Sequence, residues 1–130
     1  MAALSDYAEK LVLDWLMTAG AATRPTGWHV ALYTAAPSDS GGGTEVSGSG
    51  YARKAITFGA ASSPGGTTSN TNTVSFTASG GSWGTITHVG IFTAATGGNL
   101  LWHGSMSASK TVGDGDTIEF SIGNFNLTVA

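Results

Sequence analysis

Three histidines, His29, His88 and His103, are the side chains of this sequence best suited to bind a metal ion or to transfer a proton. Zinc sites place their ligands at short, recurring spacings, and none of the three has a metal-ligating partner at such a spacing. If the strands that carry His29 and His88 are neighbours, the two rings could approach each other, and His103 could join them across a hairpin. The pattern leaves a zinc site of histidines open but favours structural histidines, so we predict no metal and no cofactor.

Two short motifs in the second half of the chain resemble catalytic or metal-binding signatures. Residues 80–84 match the Gly-x-Ser-x-Gly string of hydrolases, but that motif needs a helix after it, and a strand is predicted here. Asp114 and Asp116 flank a glycine as in a calcium loop, yet the later acidic ligands are missing. Aspartate and glycine are also favoured in tight turns. We interpret both motifs as turns and predict that the protein is not an enzyme.

The four tryptophans could form a sugar-stacking platform only where an indole ring reaches the surface. Trp15, Trp28 and Trp102 lie at positions that predict burial, which leaves Trp83 as the exposed one. A carbohydrate-binding module is therefore a weak alternative for the function.

Charge is scarce in this sequence of 130 residues. Only 10% of the residues are charged, the net charge is -3, and there are 20 glycines and no cysteine. Binding to nucleic acid needs a basic patch that neutralises phosphates, so we predict no nucleic-acid partner. No disulfide or thiolate site can form without cysteine. The sequence shows no targeting segment and no apolar stretch long enough to span a bilayer, so we predict no membrane partner.

The functional candidates must be positioned by a β-rich scaffold centred on residues 85–106. This stretch predicts a hairpin, because β-branched and aromatic residues flank a glycine-rich turn at residues 96–99. Both arms are apolar at most positions, so we expect both faces of the hairpin to be covered. Residues 88–95 also echo residues 29–36, which predicts two strands with equivalent structural roles.

Residues 5–17 form the one predicted helix. Ser5 is a suitable N-cap, and an apolar stripe recurs at helical spacing. The stripe consists of Leu4, Ala8, Leu11, Val12, Trp15 and Leu16. We expect it to pack on the sheet of its own chain; a neighbouring subunit is the alternative, since one helix cannot form a core alone.

The remaining predicted strands are short and are separated by turn residues, at residues 28–34, 51–58, 73–77, 117–122 and 125–129. The pattern predicts a mainly β fold, a β-sandwich or jelly roll of about seven or eight antiparallel strands with one N-terminal helix. We expect one domain over residues 1–130, with the helix in residues 1–20 and the sandwich in residues 28–130. The long loops at residues 35–50 and 59–71 are predicted to make contacts.

Four segments carry a family resemblance: residues 44–53 (Thr-Glu-Val-Ser-Gly-Ser-Gly-Tyr-Ala-Arg), 87–92, 97–101, and 110–112 with 115–117. They resemble a family of small tailed-bacteriophage virion structural proteins, whose members are labelled tail-fibre or head decoration proteins. The resemblance implies a structural protein of the virion, assembled in the bacterial host cytoplasm, and it brings no catalytic residues.

The sequence leaves two alternatives for the place of this protein in the virion. The first is a capsid cement (decoration) protein, a homotrimer that binds the major capsid protein and stabilises the head. The second is a tail-fibre or baseplate component that contacts other tail proteins and takes part in host attachment. We expect the first, because the sequence has no coiled-coil heptads and no β-helix repeat. The candidate interface residues are Leu11, Trp15, Pro37, Asp39, Glu45, Val46, Tyr51, Arg53 and Trp83.

Overall fold

The computed structural model describes residues 2–129, which form one helix and ten strands. In chain order these are β1 (Ala2–Leu4), α1 (Asp6–Met17), β2 (His29–Ala35), β3 (Thr44–Glu45), β4 (Lys54–Ala55), β5 (Thr67–Ser69), β6 (Val74–Thr77), β7 (Gly84–Phe92), β8 (Leu100–Val112), β9 (Thr117–Phe120) and β10 (Asn126–Thr128). The prediction of a mainly β, antiparallel fold with one N-terminal helix is confirmed. The strands outnumber the prediction, because β1, β3 and β5 have only two or three residues each and show no alternating pattern.

The strands form two layers around one core. The main sheet has the order β1-β8-β7-β2-β3, with β4 also paired to β2, and the second layer consists of the pairs β6–β9 and β5–β10. Every pair is antiparallel. Alternation selects the side chains that face the core, as in β6, where Val74 and Phe76 are buried and the residues after each are exposed. They meet Leu32, Ile86 and Ile91 from the main sheet in one apolar cluster.

The predicted hairpin is the centre of the main sheet and consists of β7 and β8. Its turn depends on Gly98, which has a φ of +72° and lies so close to Thr93 that a Cβ atom would come within 2.8 Å of the threonine hydroxyl. Each strand of the hairpin also pairs with a further strand, β8 with β1 and β7 with β2. The hairpin prediction is therefore confirmed.

The echoed segments pair with each other in β2 and β7. His29 lies opposite Phe92, Ala31 opposite Gly90, and Tyr33 opposite His88, so a local two-fold axis through the Ala31–Gly90 pair relates the two copies. His29 and His88 lie on neighbouring strands but do not approach each other, because antiparallel pairing places them at opposite ends of the two strands. The echo marks equivalent strands, as predicted.

Two segments differ from the predicted strands. The strand expected at residues 51–58 is reduced to Lys54–Ala55, which pairs with β2, and to a single bridge between Phe58 and Asn70. The loop at residues 59–71 contains β5, which pairs with β10. None of the helices described in residues 2–129 is long and apolar enough to cross a membrane.

Candidate contact surface

The first turn of α1 is fixed to the main sheet through Ser5, which is buried. Its hydroxyl donates a hydrogen bond to the Leu100 carbonyl and accepts one from the Ala8 amide at 3.1 Å, which is the predicted N-cap. The Ser5 amide donates to the Leu101 carbonyl at 2.8 Å, and the Asp6 amide donates to the Asp39 carbonyl at 2.9 Å. Three of these hydrogen bonds anchor the start of the helix to the rest of the chain, and the bond from Ala8 caps the helix.

Burial falls steeply along α1. Ala8 is 4% exposed, whereas Trp15 is 70% and Met17 is 76% exposed. Leu13 and Leu16 are also exposed. The expectation that the apolar stripe packs on the chain's own sheet is therefore wrong for the second half of the helix, and so is the predicted burial of Trp15.

We define the helix patch as the exposed apolar side chains of this second half: Val12, Leu13, Trp15, Leu16 and Met17. Their exposed parts add up to roughly 500 Å², on the order of the largest apolar patch of a monomeric protein, and such patches are often functional. Only Asp14 interrupts the apolar run, and its carboxylate forms an ion pair with Lys10 one turn earlier.

A second apolar surface lies where the two layers of the sandwich separate. There, β8 and the segment from β9 to β10 enclose an open groove of about 550 Å³. We call it the edge groove; the apolar side chains that line it include Val89, Trp102, Met106, Phe120, Phe125 and Leu127. Several of these belong to the core or pack directly against it. The groove is therefore an opening in the hydrophobic core itself.

Arg53 forms a clamp between the loop at residues 35–50 and the turn of the β7–β8 hairpin. Its Nε and Nη2 atoms donate to the two carboxylate oxygens of Glu45, both at 2.9 Å. Its Nη1 atom donates to the carbonyls of Ala94 at 3.1 Å and Gly97 at 2.8 Å. The guanidinium carbon lies 3.6 Å from the centre of the Phe92 ring, a cation–π contact.

Tyr51 completes this clamp from the core side. Its hydroxyl donates to Glu45 Oε2 at 2.7 Å and accepts the Leu32 amide at 3.0 Å. Burial is the main cause that raises the pKa of the Tyr51 hydroxyl, and the hydrogen bond to Glu45 raises it further. Burial likewise raises the pKa of Tyr33 to about 12. Both phenols therefore stay neutral at physiological pH.

Glu45 carries the clamp's negative charge. Burial would raise the pKa of its carboxyl, but hydrogen bonds from Arg53 and Tyr51, together with the positive charge of Arg53, more than offset burial and hold the pKa below its ordinary value. The hydrogen bonds to Glu45, together with the negative charge of Glu45, in turn raise the pKa of Arg53.

We predict that protonation of Glu45 destabilises the fold in acid. A carboxyl whose pKa is lowered by folding contributes stability above its unfolded pKa of about 4.3 and loses it as the pH falls through the folded value. Urea unfolding between pH 7 and pH 3 should show this loss in the wild type and a flatter profile in Glu45→Gln. Glu9→Gln is the matched control, because Glu9 is exposed and forms no ion pair among the described residues. A profile of Glu45→Gln as steep as the wild type's would contradict the prediction.

Trp83 lies in the interior and is 7% exposed. Its Nε1 atom donates to the Ser49 carbonyl at 3.1 Å, and its ring meets the Tyr51 ring edge-on at 5.5 Å between centres. The prediction of an exposed Trp83 is wrong, because a loop without periodic pattern folds over it.

The three histidines have separate surroundings. His88 Nδ1 shares a hydrogen bond of 2.8 Å with the Thr87 hydroxyl, and His103 Nε2 lies 2.7 Å from a carboxylate oxygen of Asp39. The Nδ1 atom of His29 is buried and has no hydrogen-bond partner in the described part of the chain. Over residues 2–129 no three His, Asp or Glu side chains come together in a way that could hold a metal ion.

The two motifs that resemble active sites are turns. Asp114 accepts the Gly80 amide at 2.9 Å and so connects two turns, whereas Asp116 accepts the Gly113 amide at 2.8 Å within its own turn. Strand β7 begins at Gly84, the last residue of the Gly-x-Ser-x-Gly string, whereas a nucleophile elbow would require a helix to follow.

The nine candidate interface residues fall into three groups. Trp15 and Asp39 are exposed and Leu11 is half-buried on the helix, so these three remain candidates for contacts. Pro37, Val46 and Trp83 are buried within the chain. The remaining three, Glu45, Tyr51 and Arg53, form the clamp. Sequence reasoning missed Leu13 and Met17 of the helix patch, although a run of apolar residues with one aspartate was a visible signal.

Fold and surface together define a small antiparallel β-sandwich whose prominent exposed features are an apolar helix and an open groove. Residues 3–128 match the family described as podophage GP4 fiber I protein gp80, and the chain belongs to this family. The protein is therefore a structural protein of the phage virion, which confirms the resemblance seen in the sequence. A search of the curated proteins gives no match.

Proposed function

We propose that the protein is a structural subunit of a virion fibre that acts through contacts and not through catalysis. The observation that carries the proposal is the match of residues 3–128 to a family described as a fiber protein. The helix patch supports it, because an apolar surface of this size on a virion protein is suited to attachment.

The proposed partners are other copies of the chain and other tail proteins. The net charge of -3, with only five Lys and Arg residues, disfavours nucleic acid as a partner. Assembly in the bacterial host cytoplasm and the absence of a membrane partner belong to the same proposal. The trimer expected from the sequence is one form that self-association could take.

The second candidate is the capsid cement protein that the sequence favoured. Its support is that residues 2–129 fold into a sandwich and contain no extended shaft. In this case the partner is the major capsid protein, and the exposed helix would lie on the head surface. The carbohydrate-binding module loses the exposed Trp83 on which it depended, and the exposed Trp15 is a single indole ring among aliphatic side chains and Met17, not a stacking platform.

The number of copies per virion distinguishes the two candidates. We expect quantitative mass spectrometry of purified virions to find far fewer copies of this protein than of the major capsid protein. Immunogold labelling should then place the antibody at the tail. A copy number comparable to that of the major capsid protein, with label over the head, would overturn the fibre proposal and favour cement.

A further inference from the structure

Two apolar surfaces of this chain lie open at the same time. The helix patch is convex, and the edge groove is concave. The helix patch leaves in water apolar area that a folded domain normally covers. The edge groove exposes parts of the half-buried side chains of Trp102, Met106 and Phe120. Although the first turn of α1 is anchored, no contact within the described residues buries the second half of the helix.

The distribution of side chains around α1 shows what shape of partner the helix needs. At about 100° per residue, the apolar positions from Val12 to Met17 span roughly 200° of the helix circumference. A flat partner covers only a narrower stripe, whereas a helix that is apolar over most of its circumference is normally surrounded. The helix patch therefore calls for a concave site.

The edge groove is concave, and its lining is mainly apolar. Its volume of about 550 Å³ lies within the range of binding cavities, and large apolar side chains such as Trp102, Met106 and Phe120 form its walls. Amphipathic helices commonly bind in apolar grooves of this kind. The helix patch supplies roughly 500 Å², more than half of the about 800 Å² that each partner contributes to a standard interface.

Charges at the two rims are complementary. Glu119 is the one acidic residue among those that line the groove, and no ion pair involving it occurs within residues 2–129. Lys10 is the one cation of α1, and it lies one turn before Leu13, at the border of the apolar arc. Lys10 forms an ion pair with Asp14 within the helix, and exposed ion pairs of this kind contribute little to stability.

We infer that α1 of one copy inserts its helix patch into the edge groove of a second copy, with Lys10 of the helix facing Glu119 of the groove. The contact joins different surfaces of the two copies, so it is heterologous and generates a closed ring or a growing filament. This inference goes beyond the proposed function, because it holds for a fibre and for a capsid cement alike.

Site-specific cross-linking tests the geometry of the proposed contact. Because the chain has no native cysteine, only the introduced thiols can form disulfides. Leu16→Cys places a thiol on the helix patch, and Ser107→Cys places one in the lining of the groove. When the two variants are mixed and oxidised, we expect a disulfide between them, and little between copies of the same variant. Disulfides only between Leu16→Cys copies would overturn the inference and indicate pairing of helices.

Sedimentation velocity over a range of concentrations tests the energetics. We expect the wild type to self-associate, and Leu16→Glu to weaken association by at least about thirtyfold, as for a central interface residue. Ile122→Glu, at an exposed apolar residue outside both surfaces, is the control and should associate like the wild type. A wild type that is monomeric throughout, or that binds phosphatidylglycerol vesicles as a monomer through the helix, would overturn the inference.

A charge swap adds a test that a merely misfolded variant could not pass. Lys10→Glu and Glu119→Lys should each weaken association about twofold to fivefold, and the double variant should recover it. Additive losses in the double variant would refute the Lys10–Glu119 contact.

The copy number and position in virions are measured separately, so a failure of self-association leaves the fibre proposal standing on its own test.

Discussion

Replacing Arg53 with alanine is expected to lower the free energy of unfolding by about 3 kcal/mol. The side chain is only 10% exposed, and its removal leaves the Glu45 carboxylate without a cation and two turn carbonyls, those of Ala94 and Gly97, without their donor. The ring of Phe92 also loses the guanidinium that covers it. Urea unfolding at pH 7, monitored by tryptophan fluorescence, measures the loss.

Two further variants separate charge from geometry in this clamp. Arg53→Lys keeps the charge but cannot donate to both carboxylate oxygens and two carbonyls at once, so we expect it to recover less than half of the loss. Arg53→Ala in a Glu45→Gln background should cost less than in the wild type, because no uncompensated charge remains. Equal losses in the two backgrounds would show that the ion pair is not the source of the stability.

The clamp also explains what the recognisable sequence motif does. Residues 44–53 carry the family resemblance, and the structure uses them to close a loop onto the sheet. Glu45 and Arg53 form the ion pair, Tyr51 contributes its hydroxyl, and Val46 enters the core. The loop at residues 35–50 was predicted to be a contact arm, but its second half makes contacts within the chain. The motif at residues 44–53 therefore stabilises the fold of the chain.

Strands with an alternating pattern could be predicted from the sequence, and very short strands could not. In β6 and β9 the buried positions Val74, Phe76 and Ile118 follow the period of two that a half-buried strand requires. The two residues of β3 and the three of β5 contain no full period. Their pairing with β2 and β10 is decided by tertiary contacts that local sequence does not encode.

The exposure of the helix shows a different limit of prediction from the sequence. Helical spacing identified the apolar face of α1, but spacing does not reveal where the underlying sheet ends. Ala8 lies over the sheet and is buried, whereas Trp15, almost two turns later, is exposed. Trp83 shows the reverse error, because its burial depends on Ser49, which is 34 residues away in the chain. Both outcomes are set by contacts between distant segments.

Asn70 is the polar side chain on which the second layer depends. It is 1% exposed, and its amide nitrogen donates to the carbonyls of Asn72 at 2.7 Å and Ser121 at 3.0 Å. Its side-chain oxygen accepts the Phe125 amide at 2.9 Å. These bonds join the end of β5 to the turn between β9 and β10. The Ser121 carbonyl also accepts the Asn124 amide at 3.0 Å, so the removal of Asn70 affects mainly the Asn72 carbonyl and the Phe125 amide.

We expect Asn70→Asp to lower the free energy of unfolding by about 4 kcal/mol at pH 7, because an oxygen replaces the donor and a buried negative charge faces two carbonyls. Asn70→Ala should cost about 3 kcal/mol, since it leaves buried groups unpaired without adding charge. Urea unfolding of the three proteins measures both losses.

The pH dependence separates these two mechanisms. Burial and the carbonyl dipoles raise the pKa of the introduced carboxyl above that of the unfolded chain, so its favourable contribution is complete below about pH 4 and is lost as the pH rises. The difference in stability between the wild type and Asn70→Asp should therefore shrink from pH 7 to pH 4, because the protonated carboxyl can donate to one carbonyl again. For Asn70→Ala the difference should stay constant, since the acid sensitivity of Glu45 is common to all three proteins and cancels. A constant difference for Asn70→Asp would mean that the side chain escapes to solvent and that the second layer tolerates its loss.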